Sequence, residues 1–469
     1  NSISNESEEK VETKEIKRVD SFEIEKPFIS DNESDSGKKD GSSINMVSPS
    51  KAEYDSRFLT LSQFCITLTK NITGPGVLSI PYAMYHMGIP ITVLIYIYMA
   101  LVNVWCSHLL IEVNDYTKRN PSRYPYKQIG NDYAVIMYHI LGPYGYYVFL
   151  VLYLIAIWGV QVGTLISVVD FLDNLPWFAS LIPNPQSMKL LLHVSCTFIC
   201  MILVFLKDMK PLVPVSSLSI FALVLSFVIL LVYGFVKNGI VFKASMLVPS
   251  SLVDMLSSIG VASFSLGYNF SFLSFYKQVK PSIRVKAKKV TAPCIAVITM
   301  FLIILPLLAF LSYSSSPGGI KSNILLSIPE THPTAIIVSI MMFLSCLFTY
   351  PIYSPPLNEV LEETIKNKRT TGIFVSDPTR LMYRILQTLM ISLVAWFCPF
   401  FGDIISLVGG FVFTAISCVI PPILHLVCYG TSMSPGNKVL HYAVIVLDTL
   451  FMCASTVFSA YVLVNKMFH

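Results

Sequence analysis

The sequence predicts an all-α polytopic membrane protein with eleven transmembrane helices. Two observations carry that prediction. Hydrophobic residues make up 54% of the 469 positions against 13% charged, a balance outside the range of soluble domains. The apolar residues also gather in runs of about 20, the length a helix needs to cross a hydrocarbon core of about 30 Å. Backbone groups cannot go unpaired in lipid, so these runs must be helical. The same composition excludes a secreted disulfide module, a soluble enzyme and a nucleic-acid binder, whose basic residues would cluster on a wet face.

The first element is not a helix. Residues 1–57 carry nine Lys/Arg and fourteen Asp/Glu, while residues 58–469 carry 24 basic and 14 acidic residues, so a net −5 segment precedes a net +10 one. The segment is rich in Ser, Glu, Asp, Lys and Asn and cannot bury enough apolar surface to offset its ordering entropy. It reads as a disordered, acidic cytosolic tail, an unconstrained solvated segment before it is a phospho-regulated one, ahead of a transmembrane domain over 58–469. It has no apolar h-region, so the first span is expected to act as an uncleaved signal anchor.

Eleven apolar runs follow, near 58–86, 89–113, 143–172, 188–206, 212–236, 252–276, 291–312, 333–357, 381–398, 402–427 and 439–465. With the tail in the cytosol, the inner loops hold seventeen Lys/Arg and the outer loops with the C-terminus five. That asymmetry orients the N-terminus to the cytosol. The ten cysteines lie in or beside the apolar runs. Cys196 and Cys200 share a helix face, but no His or Cys cluster joins them, so packing rather than metal binding is expected. No cofactor and no metal is implied.

Two spans are interrupted. Span 1 contains Gly74, Pro75 and Gly76 in succession near its middle. Proline removes a donor and clashes with the preceding turn, and each glycine costs about 1 kcal/mol of helix preference relative to alanine. Span 6 has Ser263, Ser265, Gly267, Tyr268 and Asn269 at its centre. Broken helices build midplane sites, because a half-helix N-terminus presents amides and a positive dipole end to an anionic group. Interruptions in spans 1 and 6 are those of a five-plus-five inverted repeat, with span 11 as an addition. A simple proline kink without a ligand is the plainer reading of span 1.

Four stretches resemble one family. Gly74 to Pro81 is similar to the pattern G-x-G-[VIL]-L-x-[LI]-P. FLKDMKPLVPVS (205–216) resembles the link between spans 4 and 5, LFTYPIYSPPLNEVLEE (347–363) the end of span 8, and LVGGFVFTAISCVIPPILHL (407–426) span 10. The pattern is similar to that of the amino acid/auxin permease family, which includes the vesicular inhibitory, proton-coupled and sodium-coupled neutral amino acid transporters. The resemblance implies a LeuT-type fold and amino-acid transport by alternating access. It places the substrate carboxylate on the amides around Thr73, Gly74 and Gly76, and the ammonium on span 6 carbonyls near Phe264, Ser265 and Gly267. Pro75 departs from the family, where Ser or Thr is common, and it offers no amide to the carboxylate.

Lys70 lies four residues before Gly74 in an apolar helix. A charge there costs about 2.5–3.5 kcal/mol on insertion scales and is by default functional, with snorkelling to the cytosolic edge as the alternative. In sodium-coupled relatives this position resembles an Asn that ligates sodium, and in proton-coupled relatives it is often Lys. The resemblance therefore implies that Lys70 fills the cation place near Thr349 of span 8, with sodium-independent, proton-linked transport. Asp448 in span 11 reads equally as a proton site or as the partner of a polar neighbour. His193 and His425, near span ends, read as packing or interface residues.

The leading function is thus a proton-coupled amino acid transporter. The alternatives are an amino-acid sensor with slow or no turnover, which signals through its tail to cytosolic partners, and a sodium-coupled transporter. No HExxH, GxSxG or phosphate-binding glycine loop supports an enzyme. The partners implied are an amino acid, a proton and the lipid bilayer, and a monomer suffices for this fold. The plasma membrane and an endolysosomal, vacuolar or vesicular membrane all suit proton coupling.

Overall fold

The structure, a computed structural model, describes residues 58–469 apart from 123, 126–128, 130, 180–183, 206–211, 315–319, 330–331, 355–357, 359–376 and 469. The expected tail, half of the span 4–5 link and the end of the span 8 motif lie outside the described residues. Among the described residues, helix forms in each of the eleven apolar runs. Seven are long and apolar enough to cross a membrane unbroken, which are spans 2, 3, 4, 5, 7, 10 and 11. The remaining four have specific reasons for falling short. Spans 1 and 6 are split, span 8 has only 17 residues as a regular helix over Pro333–Thr349, and span 9, Pro378–Phe397, carries Arg380 and Arg384.

Helix starts follow from local chemistry. Thr60 opens span 1 with a capping box, in which the Gln63 amide donates to Thr60 Oγ1 and the Thr60 amide donates to Gln63 Oε1 at 2.9 Å. Asn131, Asn184, Ser251, His332 and Asp377 cap spans 3, 4, 6, 8 and 9, with proline in the first turn of spans 4, 8 and 9. These caps satisfy first-turn amides that have no partner within the helix, and proline loses nothing there. Arg384, although charged, is 5% exposed and donates to the Val204 carbonyl at 2.8 Å, covering the C-terminal end of span 4.

Three local features depart from a plain reading of the runs. Span 3 begins earlier, as Asp132–Asp173, and turns at Gly142, whose φ of 72° precedes Pro143. Its first ten residues, 132–141, are too few to cross a membrane alone, and Gly142 and Pro143 part them from the longer run. Span 10 winds as a π-helix over Gly409–Phe413 and Ala415–Val419 between regular turns at Phe401–Val408 and Ile420–Tyr429. Such wide turns are rare and gather at functional positions. Span 11 runs as one helix, Pro435–Phe468.

Spans 6, 10 and 11 meet through small residues. A Cβ at Gly260 would fall on the Ser406 carbonyl, and one at Gly409 would fall on the Gly260 carbonyl. The Ser257 carbonyl accepts from the hydroxyls of Ser406, Ser455 and Ser459 together. Close backbone approach with serine hydrogen bonds is how helices associate where no hydrophobic drive separates them from lipid. The chain entering span 1 also pairs with the chain leaving span 6, with the Leu59 amide donating to Gln278 O at 2.8 Å. The described residues form an all-α, polytopic bundle in which spans 1 and 6 are both broken.

Candidate functional site

The site is built where the two breaks meet. The first half of span 1, Leu61–Ile72, ends with the Thr73 amide donating to Thr69 O at 2.8 Å. Gly74 is extended, and a 3-10 turn over Pro75–Ser79 leads into a second helix, Ile80–Met87. Pro75 therefore stands at the first position of a new turn, where a missing donor breaks no internal bond. The turn's first hydrogen bond runs from the Val77 amide to Gly74 O at 3.2 Å, so the Gly74 and Gly76 amides precede it. Span 6 stops at Leu266, passes through Gly267 and Tyr268, and resumes as Asn269–Lys277.

These breaks touch. A Cβ on Gly76 would lie 2.7 Å from the Phe264 ring and 3.1 Å from Ser265 Oγ, so only glycine lets the two spans approach this closely. One cavity is lined by Gly74, Gly76, Phe264, Ser265 and Gly267, five of the six residues expected to hold substrate. Thr73, the sixth, instead lines the neighbouring cavity together with Gly74, and its hydroxyl donates back to Thr69 O. Ser265 Oγ donates to Val261 O at 2.8 Å and receives the Tyr96 hydroxyl at 3.5 Å.

Several lining residues were not legible beforehand. Asn71 donates to Ser271 Oγ at 2.8 Å, fastening the first half of span 1 to the second half of span 6. Phe413, in the first π-turn of span 10, stands 4.9 Å from the Phe264 ring centre and 5.3 Å from Phe270. Tyr353 closes another wall, with its hydroxyl 3.4 Å from where a Gly74 Cβ would stand. Helices that are apolar on every face give no periodicity from which to read which side chains point inward.

Lys70 occupies the last turn of the first half of span 1 and reaches Ser219 Oγ of span 5 at 3.4 Å. It lines the second cavity with Thr73, Ser219, Ser345 and Thr349. Thr349 is thus brought into the same cavity, but its hydroxyl donates to Ser345 O at 2.7 Å, and the ammonium's hydrogen-bond partner is Ser219. The C-terminal end of a half-helix is the negative end of its dipole, so a fixed cation is favoured there. Among the described residues no carboxylate forms an ion pair with Lys70.

Asp448 is fully buried, and the Tyr98 hydroxyl donates to its Oδ1 at 2.9 Å. His193 meets Ser392 at 2.9 Å. His425 does more than pack, since it bonds both His441 and Glu112.

The family model described as "Transmembrane amino acid transporter protein" matches residues 59–465. The chain belongs to this family. It is an integral, multi-pass membrane transporter of amino acids and not an enzyme. Amino acid transporter ANT1 of Arabidopsis thaliana is 25% identical over 82% of this chain and 89% of its own length. Amino acid transporter AVT3C of the same plant is 23% identical over 82% and 87%, and GABA transporter 1, also from Arabidopsis thaliana, is 22% identical over 83% and 87%. A manganese transporter mutant from Eremococcus coleocola superposes with a TM-score of 0.44 at 11% identity, covering 87% of this chain and 92% of that one.

Proposed function

We propose that this family member is a proton-coupled, sodium-independent secondary transporter that moves amino acids by alternating access. The observation that carries the reading is the placement of Lys70, whose ammonium opens beside Ser219 and Thr349 into the cavity next to the span 1 break. A tethered ammonium at the negative end of a half-helix does the electrostatic work of a bound cation, and it leaves no need for sodium. A partly buried lysine is also a group that can lose its proton during a cycle.

The amino acid sits across the two breaks. Its carboxylate faces the Gly74 and Gly76 amides with Thr73 at their edge, and its ammonium faces the carbonyl side of span 6 near Phe264, Ser265 and Gly267. Pro75 supplies no donor, so the carboxylate relies on the two glycines. Phe264, Phe270 and Phe413 give this cavity an apolar lining, which suits an uncharged side chain. Closure over the ligand shifts an existing equilibrium between inward and outward states. The N-terminus faces the cytosol by the excess of basic residues in the inner loops, with residues 1–57 as a tail open to cytosolic partners. The membrane is the plasma membrane or that of an acidic organelle, and the working unit is a monomer.

Uptake of a labelled amino-acid panel by full-length protein in proteoliposomes tests this. Saturable accumulation of at least one amino acid is expected. Tight binding of an amino acid with no accumulation under any gradient would instead identify a sensor.

A further inference from the structure

A chain of titratable groups lies away from the central cavities, at the end of the bundle where loops 2–3, 6–7 and 10–11 gather. His425 Nδ1 of span 10 faces His441 Nε2 of span 11 at 3.1 Å. His425 Nε2 faces Glu112 Oε2 of span 2 at 3.1 Å, and Glu112 Oε1 receives Lys288 Nζ of span 7 at 3.2 Å. His441 Nδ1 faces the Asn437 carbonyl at 2.8 Å. His425 and His441 are 8% and 3% exposed, whereas the Glu112 side chain is 46% exposed and links the pair to its surroundings.

The hydrogens in this chain can be counted. A carbonyl only accepts, so His441 Nδ1 carries a hydrogen. A carboxylate only accepts, so His425 Nε2 carries one. The facing nitrogens, His425 Nδ1 and His441 Nε2, need a third between them. Two neutral imidazoles hold two hydrogens. Protonating Glu112 instead, so that it donates to His425 Nε2, leaves the total unchanged. Without the third hydrogen, either two imidazole lone pairs or a lone pair and a carboxylate oxygen must face each other across 3.1 Å.

We propose that Glu112, His425 and His441 form a binding site for one proton, and that its occupancy fastens spans 2, 10 and 11 together. Nearby charges act on that proton with both signs. Glu112 and, one turn on, Asp115 favour it. Lys288 on span 7 opposes it, as do Lys118 and Arg119 of span 2 and Arg284 of span 7, which lie close enough to act on Asp115. On span 10, Tyr429 donates its hydroxyl to the Glu112 carbonyl at 3.1 Å and contributes no charge. The Trp105 ring, 4.7 Å from His441, suits a cationic partner. Because the fastened arrangement holds this proton more tightly than separated side chains would, lowering the pH through the midpoint favours it and raising the pH releases it. This claim does not depend on how transport is coupled.

Hydrogen-exchange mass spectrometry on full-length protein in nanodiscs, from about pH 5.5 to about pH 8.5 and corrected for intrinsic rates, reads the fastening directly. Amides in the first turns of span 11 and the last turns of span 10 are expected to exchange about tenfold faster above the step than below it. Two variants give opposite results. In Glu112→Gln, the new amide donates to His425 while its oxygen keeps Lys288, so neutral rings suffice and exchange stays slow at every pH. In His441→Phe, the ring still packs on Trp105 but the chain is cut, so exchange is fast at every pH. A flat wild-type profile, or a step that persists in Glu112→Gln, would overturn the proposal.

Discussion

Gly76 and Phe264 approach so closely that a Cβ on the glycine would sit 2.7 Å from the phenylalanine ring. This contact joins the breaks of spans 1 and 6, so the two halves of the site are placed by each other. Substituting Gly76 by alanine forces the Phe264 ring or the span 1 turn to shift. A displacement of this kind near a binding site costs on the order of 100-fold in rate. Uptake by Gly76→Ala is expected to fall at least tenfold while the protein still inserts and elutes as a single species.

Phe413 sets the size of the same cavity. Its ring packs on Phe264 and Phe270 and touches Gly267. Truncation to alanine removes a wall, at a stability cost of about 3–5 kcal/mol if the space does not collapse. Competition assays with Phe413→Ala are expected to show weaker binding of small neutral amino acids and improved binding of bulkier ones.

The small-residue contact among spans 6, 10 and 11 leaves no room for side chains. Gly409→Ala puts a methyl on the Gly260 carbonyl, and rigid backbone cannot yield as a flexible side chain can. A loss of about 1–3 kcal/mol is expected, read as a lowered Tm of the purified protein. The same change at Gly436, whose Cβ would meet nothing within 4 Å, should leave the Tm where it is.

Asp448 separates charge from hydrogen bonding. Asp448→Asn keeps an acceptor for the Tyr98 hydroxyl and is expected to be near neutral in thermal unfolding. Asp448→Leu leaves that hydroxyl unpaired beside a buried face, at about 1–3 kcal/mol.

The fold was legible because lipid forces a simple rule: long apolar runs become helices, and Gly74, Pro75 and Gly76 in succession must break one. The span 6 break at Gly267 had a weaker signal, carried by small and polar residues. Five of six expected substrate residues share a cavity for that reason. What remained hidden needed three dimensions. Ser219 meets Lys70 across 149 positions, and Glu112 meets His425 across 313, with no sequence pattern to join either pair. Phe413 points inward from a π-turn that the apolar run of span 10 does not announce. His425 reads from the sequence as a packing or interface residue, and the structure gives it two polar partners.

The proposed role of the Lys70 ammonium is that of a coupling cation. The most direct measurement is uptake into proteoliposomes under an imposed pH gradient, a sodium gradient or neither, for wild type and Lys70→Ala. In wild type the pH gradient alone is expected to drive accumulation and replacing sodium with choline to change nothing, while Lys70→Ala is expected to lose the pH-driven component. Wild-type accumulation that requires sodium, or a Lys70→Ala protein that responds to pH as wild type does, would contradict it.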